Sequence, residues 1–131
     1  MSSAVAVLIV DDESDFLQLA RVNLTLDGFE VYEAADGEEG VLLALTLQPD
    51  CILLDWMMPG MDGLQVCRAL RHHPRTQSAA IVVVTAKALP EDREEALDAG
   101  ADDYVVKPVA PEELTERVNQ AVRRRAVSAV G

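Results

Sequence analysis

The chain has few aromatic residues, two cysteines and no long apolar run. Aromatic residues make up 4 % of its 131 residues, so the core must use the aliphatic side chains of a 50 % hydrophobic composition, as buried parallel sheets do. Cys51 and Cys67 are spaced neither as a CxxC redox pair nor as a zinc site, which favours buried free thiols. No run approaches the roughly 20 apolar residues of a membrane helix, and the N-terminus lacks a signal-peptide pattern. We therefore expect a cytoplasmic protein without membrane association.

Basic residues are also scarce. The chain has 11 basic and 23 acidic residues, for a net charge of −12, which repels nucleic-acid phosphates. We therefore expect no direct nucleic acid binding. The basic run Arg123-Arg124-Arg125 lies where the last helix is predicted to end, and cations there complement the helix dipole; a linker to another segment is the alternative. The length predicts one domain, residues 1–125, and a short C-terminal tail, 126–131.

Five strand-like segments alternate with five segments of helical periodicity. The predicted strands are 4–10, 29–33, 51–54, 81–84 and 104–106. The predicted helices begin near Ser14, Asp36, Asp62, Pro90 and Pro111. Strand two alone alternates apolar and polar side chains, which predicts a half-exposed edge. The alternation predicts an α/β fold, a five-stranded parallel sheet of flavodoxin-like order 2-1-3-4-5 with five helices on its two faces.

Polar side chains follow four of these strands at the same edge of the predicted sheet. Asp11 and Asp12 follow strand one, Asp55 strand three, Thr85 strand four and Lys107 strand five. Ligands of this fold class bind at the carboxyl ends of the strands, beside the switch point between strands one and three. An aspartate that ends a strand is common in turns. Carboxylates about 4 Å apart, however, repel by roughly 4 kcal/mol at an effective dielectric of 20, so three of them together require a cation.

The ligand types of this cluster indicate the chemistry. Oxygen ligands without thiolate or imidazole favour Mg²⁺, which commonly pairs with phosphate oxygens. The Lys107 ammonium and the Thr85 hydroxyl are suited to hold phosphoryl oxygens. Asp55 could attack phosphorus in line and carry the group as an aspartyl phosphate. The pattern therefore predicts phosphoryl transfer to Asp55.

The ordered motifs closely resemble those of the receiver domain of two-component response regulators, the CheY-like domains, from about residue 4 to 123. They are Val10-Asp11-Asp12-Glu13, Leu54-Asp55-Trp56-Met57-Met58-Pro59-Gly60-Met61-Asp62-Gly63, Val84-Thr85-Ala86 and Val106-Lys107-Pro108. The resemblance implies that a histidine kinase or phosphotransfer protein phosphorylates Asp55 in a phosphorelay. It implies a switch that catalyses only its own phosphorylation and dephosphorylation, rather than an enzyme acting on other substrates.

The resemblance also implies a metal set and a readout. Mg²⁺ would be bound directly by Asp12 and Asp55, through water by Asp11, and by the backbone carbonyl of Met57. A downstream effector protein or output domain would read the surface of helix four, strand five and helix five. A phosphorylation-dependent homodimer is a further possibility under this resemblance.

The implied switch pair is Thr85 and Tyr104, with the tyrosine turning inward when Thr85 moves. From its own surroundings in the sequence, Tyr104 is a strand aromatic that packs in the core. Met57 and Lys87 occupy positions that vary in the family and influence how long the phosphoryl group survives. Val109 stands where the family often has phenylalanine.

Three alternatives have sequence features that separate them from this interpretation. A phosphohydrolase with an aspartyl-phosphate intermediate needs a general acid near the nucleophile, but Met57, two residues after Asp55, cannot transfer protons. A phosphate-independent interaction module of the same fold should have lost one of the five polar groups. A flavin-binding protein of this fold would carry a Ser/Thr/Gly-rich phosphate loop after strand one, where this chain has acids.

Overall fold

The computed structural model describes the backbone of residues 4–130 and the side chains of residues 4–127. Its strands are β1 (Ala6–Val10), β2 (Glu30–Ala34), β3 (Cys51–Leu54), β4 (Ala80–Thr85) and β5 (Asp103–Val106). Its helices are α1 (Ser14–Leu26), α2 (Gly37–Leu47), α3 (Gly63–His72), α4 (Pro90–Asp98) and α5 (Pro111–Val130). Within the described part of the chain, no helix is long and apolar enough to cross a bilayer.

The strands form one parallel sheet in the order β2-β1-β3-β4-β5. This confirms the predicted fold class. All residues of β3 and β4 are buried, whereas most of β2 is exposed or half-buried, as expected of an edge strand. Val10 pairs with Leu54, so β1 and β3 end level with each other. The residues that follow these two strands are therefore neighbours at the carboxyl edge of the sheet.

The core consists of two layers, one on each face of the sheet. Alternate strand residues such as Leu8 and Ile52 pack with side chains of α2, α3 and α4. The residues between them, such as Ile9 and Leu53, pack with α1 and α5. The period-two alternation of strand side chains therefore fills both layers with aliphatic residues. Because helices cover both faces of the sheet, a polar site is expected at the ends of the strands. In this fold class ligands bind at the carboxyl ends.

Glycine 63 holds the segment after β3 close to the start of α3. A Cβ at this position would lie 2.2 Å from the carbonyl oxygen of Asp55, a distance that no side chain tolerates. The Gly63 N–H donates to the carbonyl of Trp56 at 2.9 Å. Asp62, where the sequence predicted the start of this helix, caps α3 through reciprocal hydrogen bonds with Gln65, both 2.9 Å. These contacts hold the segment that follows Asp55 against the start of α3.

The predicted end of the last helix was wrong. Helix α5 continues to Val130, so the arginine run lies before its last turn, where the dipole acts little. Arg125 Nε instead donates to Asp102 Oδ1 at 2.9 Å, and Arg124 donates to the Asp102 carbonyl at 3.3 Å. Residues 126–130 of the predicted tail are helical, and Gly131 lies outside the described residues. The domain boundary at residue 125 stays a prediction.

The two cysteines are buried free thiols, as predicted. Burial raises the pKa of the Cys51 thiol, and it raises the pKa of Cys67 to about 11. A raised pKa leaves little thiolate near pH 8, and the thiolate is the reactive form. We expect Ellman's reagent to label neither cysteine of the folded protein at pH 8 and both in denaturant. Rapid labelling of either thiol without denaturant would show that this packing is wrong.

Candidate functional site

Three aspartates meet at the carboxyl edge of the sheet. Asp11 and Asp12 follow β1 and Asp55 follows β3, and one carboxylate oxygen from each lies within 4.8 Å of the others. Asp11 is 1 % exposed and Asp55 is 7 % exposed, whereas Asp12 faces solvent. The Asp55 N–H donates to the Val10 carbonyl at 2.9 Å, which extends the pairing of the two strands by one residue. The sheet thus holds the acids together in spite of their repulsion.

Lys107, which follows β5, provides the cation inside this cluster. Its Nζ donates to Asp11 Oδ2 at 2.8 Å and lies 3.4 Å from Asp55 Oδ2. Glu13 Oε1 accepts from the same ammonium at 2.8 Å, and the ring centroid of Phe16 lies 4.4 Å away. Sequence reasoning did not place Glu13 or Phe16 at the site. The sequence signal for Glu13 was its position in the acidic run after β1. Phe16 gave no such signal, because the helical pattern of α1 predicts only an apolar residue there.

The charges of this cluster shift one another's proton affinity. Burial raises the pKa of Asp11, although hydrogen bonds from Lys107 and from the Glu13 N–H act against it. Burial by itself would lower the pKa of Lys107, but hydrogen bonds to Asp11 and Glu13 outweigh it, so the pKa is raised. The hydrogen bond from Lys107 lowers the pKa of the exposed Glu13. The ammonium is therefore held charged, whereas burial makes the charged form of Asp11 less favourable than it is in water.

The residues present fit a hard divalent cation. Asp11, Asp12 and Asp55 offer three carboxylates and no sulfur or imidazole, and the Lys107 ammonium leaves two of their three negative charges unbalanced. Oxygen ligands of this kind are those of Mg²⁺. Met57 has a 60 % exposed side chain, and its N–H donates to Asp55 Oδ1 at 3.3 Å. Its backbone thus lies beside the acids, as required of the predicted fourth ligand.

Thr85 is the last residue of β4 and is fully buried. Its carbonyl accepts from the Lys107 N–H at 2.8 Å, so Thr85 and Lys107 lie at the ends of adjacent strands. Its hydroxyl oxygen accepts from the Lys87 N–H at 3.5 Å. The hydroxyl proton is therefore available to another acceptor, since a hydroxyl both donates and accepts.

Tyr104 lies one strand further along, in β5, and its ring is buried in the layer that contains Trp56. The Tyr104 hydroxyl donates to the Lys87 carbonyl at 2.8 Å. Burial raises its pKa to about 12, with further contributions from the charges of Asp92 and Asp55. The tyrosine therefore contacts the loop after β4 rather than the carboxylates.

The chain has a doubly wound parallel sheet, with acids after β1 and β3 and a lysine after β5. This combination is the one that the motifs predicted for a receiver domain. The sequence model of the response regulator receiver domain matches residues 7–119. The chain belongs to this family, as the motifs predicted. Members of the family act in two-component signalling as phosphoacceptor switches, bind Mg²⁺ at an acidic pocket, and work with histidine kinases and output domains.

Individual relatives agree with this assignment. The chain is 42 % identical over 118 residues to the DNA-binding dual master transcriptional regulator RpaA of Synechocystis, covering 90 % of this chain and 49 % of the relative. It is 44 % identical over 118 residues to the transcriptional regulatory protein SrrA of Staphylococcus aureus, covering 90 % and 48 %. The chain thus spans about half the length of these curated relatives.

The chain also matches solved structures over almost their whole length. The chemotaxis protein CheY4 of Vibrio cholerae superposes with a TM-score of 0.86 at 32 % identity, covering 92 % of this chain and 99 % of that one. A CheY-like receiver domain protein of Methanospirillum hungatei gives 0.89 at 28 % identity, covering 96 % and 99 %. These structures have the fold of the whole described domain.

Proposed function

We propose that this receiver domain accepts a phosphoryl group on Asp55 and that the modification changes a protein-interaction surface. The observation that carries the proposal is the position of Lys107, whose ammonium lies between the buried carboxylates of Asp11 and Asp55. A cation held at the carboxylate that reacts is suited to balance the charge of an incoming phosphoryl group. The rigid end of β3 holds Asp55 in place for in-line attack.

The chemistry requires one bond to form and one to break. A carboxylate oxygen of Asp55 attacks phosphorus, and the bond from phosphorus to the imidazole nitrogen of a phosphohistidine donor breaks. The nitrogen keeps the electron pair and takes a proton from solvent. Lys107 and the Thr85 hydroxyl then contact the phosphoryl oxygens, and Glu13 is the exposed partner that Lys107 can release for this purpose.

Asp12 and Asp55 would hold Mg²⁺ directly, with Asp11 acting through water and Met57 through its carbonyl. When bound, the ion neutralises phosphoryl and carboxylate charge. The excess of two negative charges in the cluster supports the binding of a cation there. A histidine kinase or phosphotransfer protein is the proposed donor.

Thr85 and Tyr104 are the proposed switch residues, and the surface of α4, β5 and α5 is the proposed readout. An effector protein or an output domain would bind there, and a phosphorylation-dependent homodimer would use the same surface. DNA binding is part of the name of the relative RpaA. For this chain we propose that DNA contact, where it occurs, belongs to an output partner. The cytoplasmic location stays a prediction.

Mg²⁺ is expected to stabilise the folded protein. An ion that binds the folded state alone adds about 2.7 kcal/mol at 100 times its dissociation constant, which corresponds to a rise of several degrees in Tm. Thermal unfolding with and without millimolar Mg²⁺ measures this shift. Asp12→Asn should reduce it strongly, and Asp98→Asn, at an exposed position of α4, should leave it unchanged. A wild-type Tm that does not respond to Mg²⁺ argues against the metal site.

Intact mass spectrometry tests the proposed function. Incubation with acetyl phosphate and Mg²⁺ should add one phosphoryl group, which hydroxylamine removes because it cleaves acyl phosphates, and EDTA should prevent the addition. The phosphohydrolase alternative predicts steady turnover of p-nitrophenyl phosphate, which we do not expect. The phosphate-independent alternative predicts no mass change with acetyl phosphate or with a phosphorylated histidine kinase.

A further inference from the structure

We propose that Lys87 is a positioning residue that fastens the β4–α4 loop (residues 86–89) to Trp56 and thereby holds Tyr104 inward before any phosphorylation. The inference deepens the proposed function, because it concerns the path from the Asp55 pocket to the readout surface. It assigns a role to the Lys87 side chain that the phosphoryl chemistry itself does not require.

The Lys87 side chain joins two other parts of the fold. Its Nζ lies 4.1 Å from the ring centroid of Trp56, the buried residue that directly follows Asp55. The same Nζ lies 3.6 Å from Asp92 Oδ1 in the first turn of α4. A cation over an indole ring is stabilised by the negative face of the ring, more strongly when it is partly desolvated. The ammonium therefore links the segment after β3 to the start of α4.

The Lys87 backbone contacts both proposed switch residues. Its carbonyl accepts from the Tyr104 hydroxyl at 2.8 Å, and its N–H donates to Thr85 Oγ1 at 3.5 Å. The Thr85 hydroxyl keeps its own proton for a phosphoryl oxygen. One residue thus meets the segment after the acceptor, the phosphoryl-binding threonine and the readout tyrosine.

The rest of the loop provides little else to hold this arrangement. Ala86, Ala88 and Leu89 are exposed, whereas Lys87 is half-buried. The Leu89 N–H donates to Asp92 Oδ2 at 3.2 Å, which ties the end of the loop to α4. Asp92 thus binds the end of the loop with one oxygen and Lys87 with the other. The middle of the loop is therefore held by Lys87, through its side chain and its two backbone hydrogen bonds.

Release of this side chain has a specific consequence for Tyr104. A loop that moves away from Trp56 carries the Lys87 carbonyl with it, and the buried phenol loses its acceptor. A buried hydroxyl without a hydrogen-bond partner is costly in free energy. The inward position of the Tyr104 ring therefore becomes less favourable relative to the outward position. The contact between Lys87 and Trp56 therefore favours the inward tyrosine in the unmodified protein.

Selective nitration of tyrosine by tetranitromethane tests the proposal without phosphodonor or metal. The chain has two tyrosines, and Tyr32, at the opposite edge strand β2, serves as the internal reference. In the wild type, Tyr104 should be nitrated much more slowly than Tyr32. Lys87→Met removes the charge but keeps most of the side-chain stem, and it should raise the ratio of Tyr104 to Tyr32 nitration roughly three- to tenfold. Lys87→Arg keeps the cation over the ring and should restore the wild-type ratio.

Two outcomes overturn the proposal: a ratio that Lys87→Met leaves unchanged, or an arginine variant that behaves like the methionine variant. Circular dichroism and Tm of each variant establish that the fold is intact, and Asp92→Asn, which removes one of the two partners of the ammonium, should give an intermediate ratio. Failure of the proposed function is distinguishable, because it would appear as absence of a phosphoryl group on the wild type whatever the nitration ratio.

Discussion

Lys107→Met is expected to lower the free energy of unfolding by about 3–5 kcal/mol at neutral pH without Mg²⁺. The substitution keeps most of the aliphatic stem and removes the ammonium, together with its contact to the Phe16 ring. The carboxylate of Asp11, 1 % exposed, is then buried beside Asp55 without a cation. Because burial raises the pKa of Asp11, the loss of stability should shrink as the pH falls and Asp11 binds a proton.

Mg²⁺ should restore most of the stability lost in Lys107→Met, since the ion neutralises the same carboxylates. Urea unfolding of wild type and variant, with and without Mg²⁺, measures this coupling. Arg21→Met is the matched control: its ion pair with Glu33, at 2.9 Å, is exposed and is worth less than about 1 kcal/mol. If Lys107→Met is as stable as this control, then Lys107 does not offset the charge of the buried carboxylates.

The fold was predictable because its inner strands are buried on both faces and its edge strand is not. The runs that became β3 and β4 are continuous and apolar, and the alternating run became the edge strand β2. Parallel strands place their carboxyl ends at one edge, so the proximity of Asp11, Asp12 and Asp55 followed from sequence positions alone. The boundaries were less accurate: β1 begins at Ala6 rather than Ala4, and β4 is longer by one residue at each end.

The sequence could not predict contacts made by long side chains between distant segments. Glu13 meets Lys107 across 94 positions, and Lys87 lies over Trp56 because of how the loop after β4 folds back. Asp102 receives Arg71 and Arg125 from two different helices, and this pairing, rather than a helix end, accounts for the last arginine of the basic run. Such contacts depend on tertiary packing, and periodicity carries no signal for them.

Two of these unpredicted contacts lie next to the proposed acceptor site. The proposed acceptor site itself consists of Lys107, Thr85 and the three aspartates. Under the proposals made above, Glu13 and Lys87 set the partners that the Lys107 ammonium and the β4–α4 loop have before phosphorylation. The contacts of Glu13 and Lys87 are therefore features of the site that the structure shows and that the sequence did not predict.

The most direct test of the account compares Asp55→Asn with Asp98→Asn and the wild type by intact mass after incubation with acetyl phosphate and Mg²⁺. Asparagine keeps the size of the side chain and lacks the nucleophilic carboxylate. We expect one phosphoryl group on the wild type and on Asp98→Asn, and none on Asp55→Asn. A phosphoryl group on Asp55→Asn at the wild-type level would contradict it, because the acceptor would then be another residue.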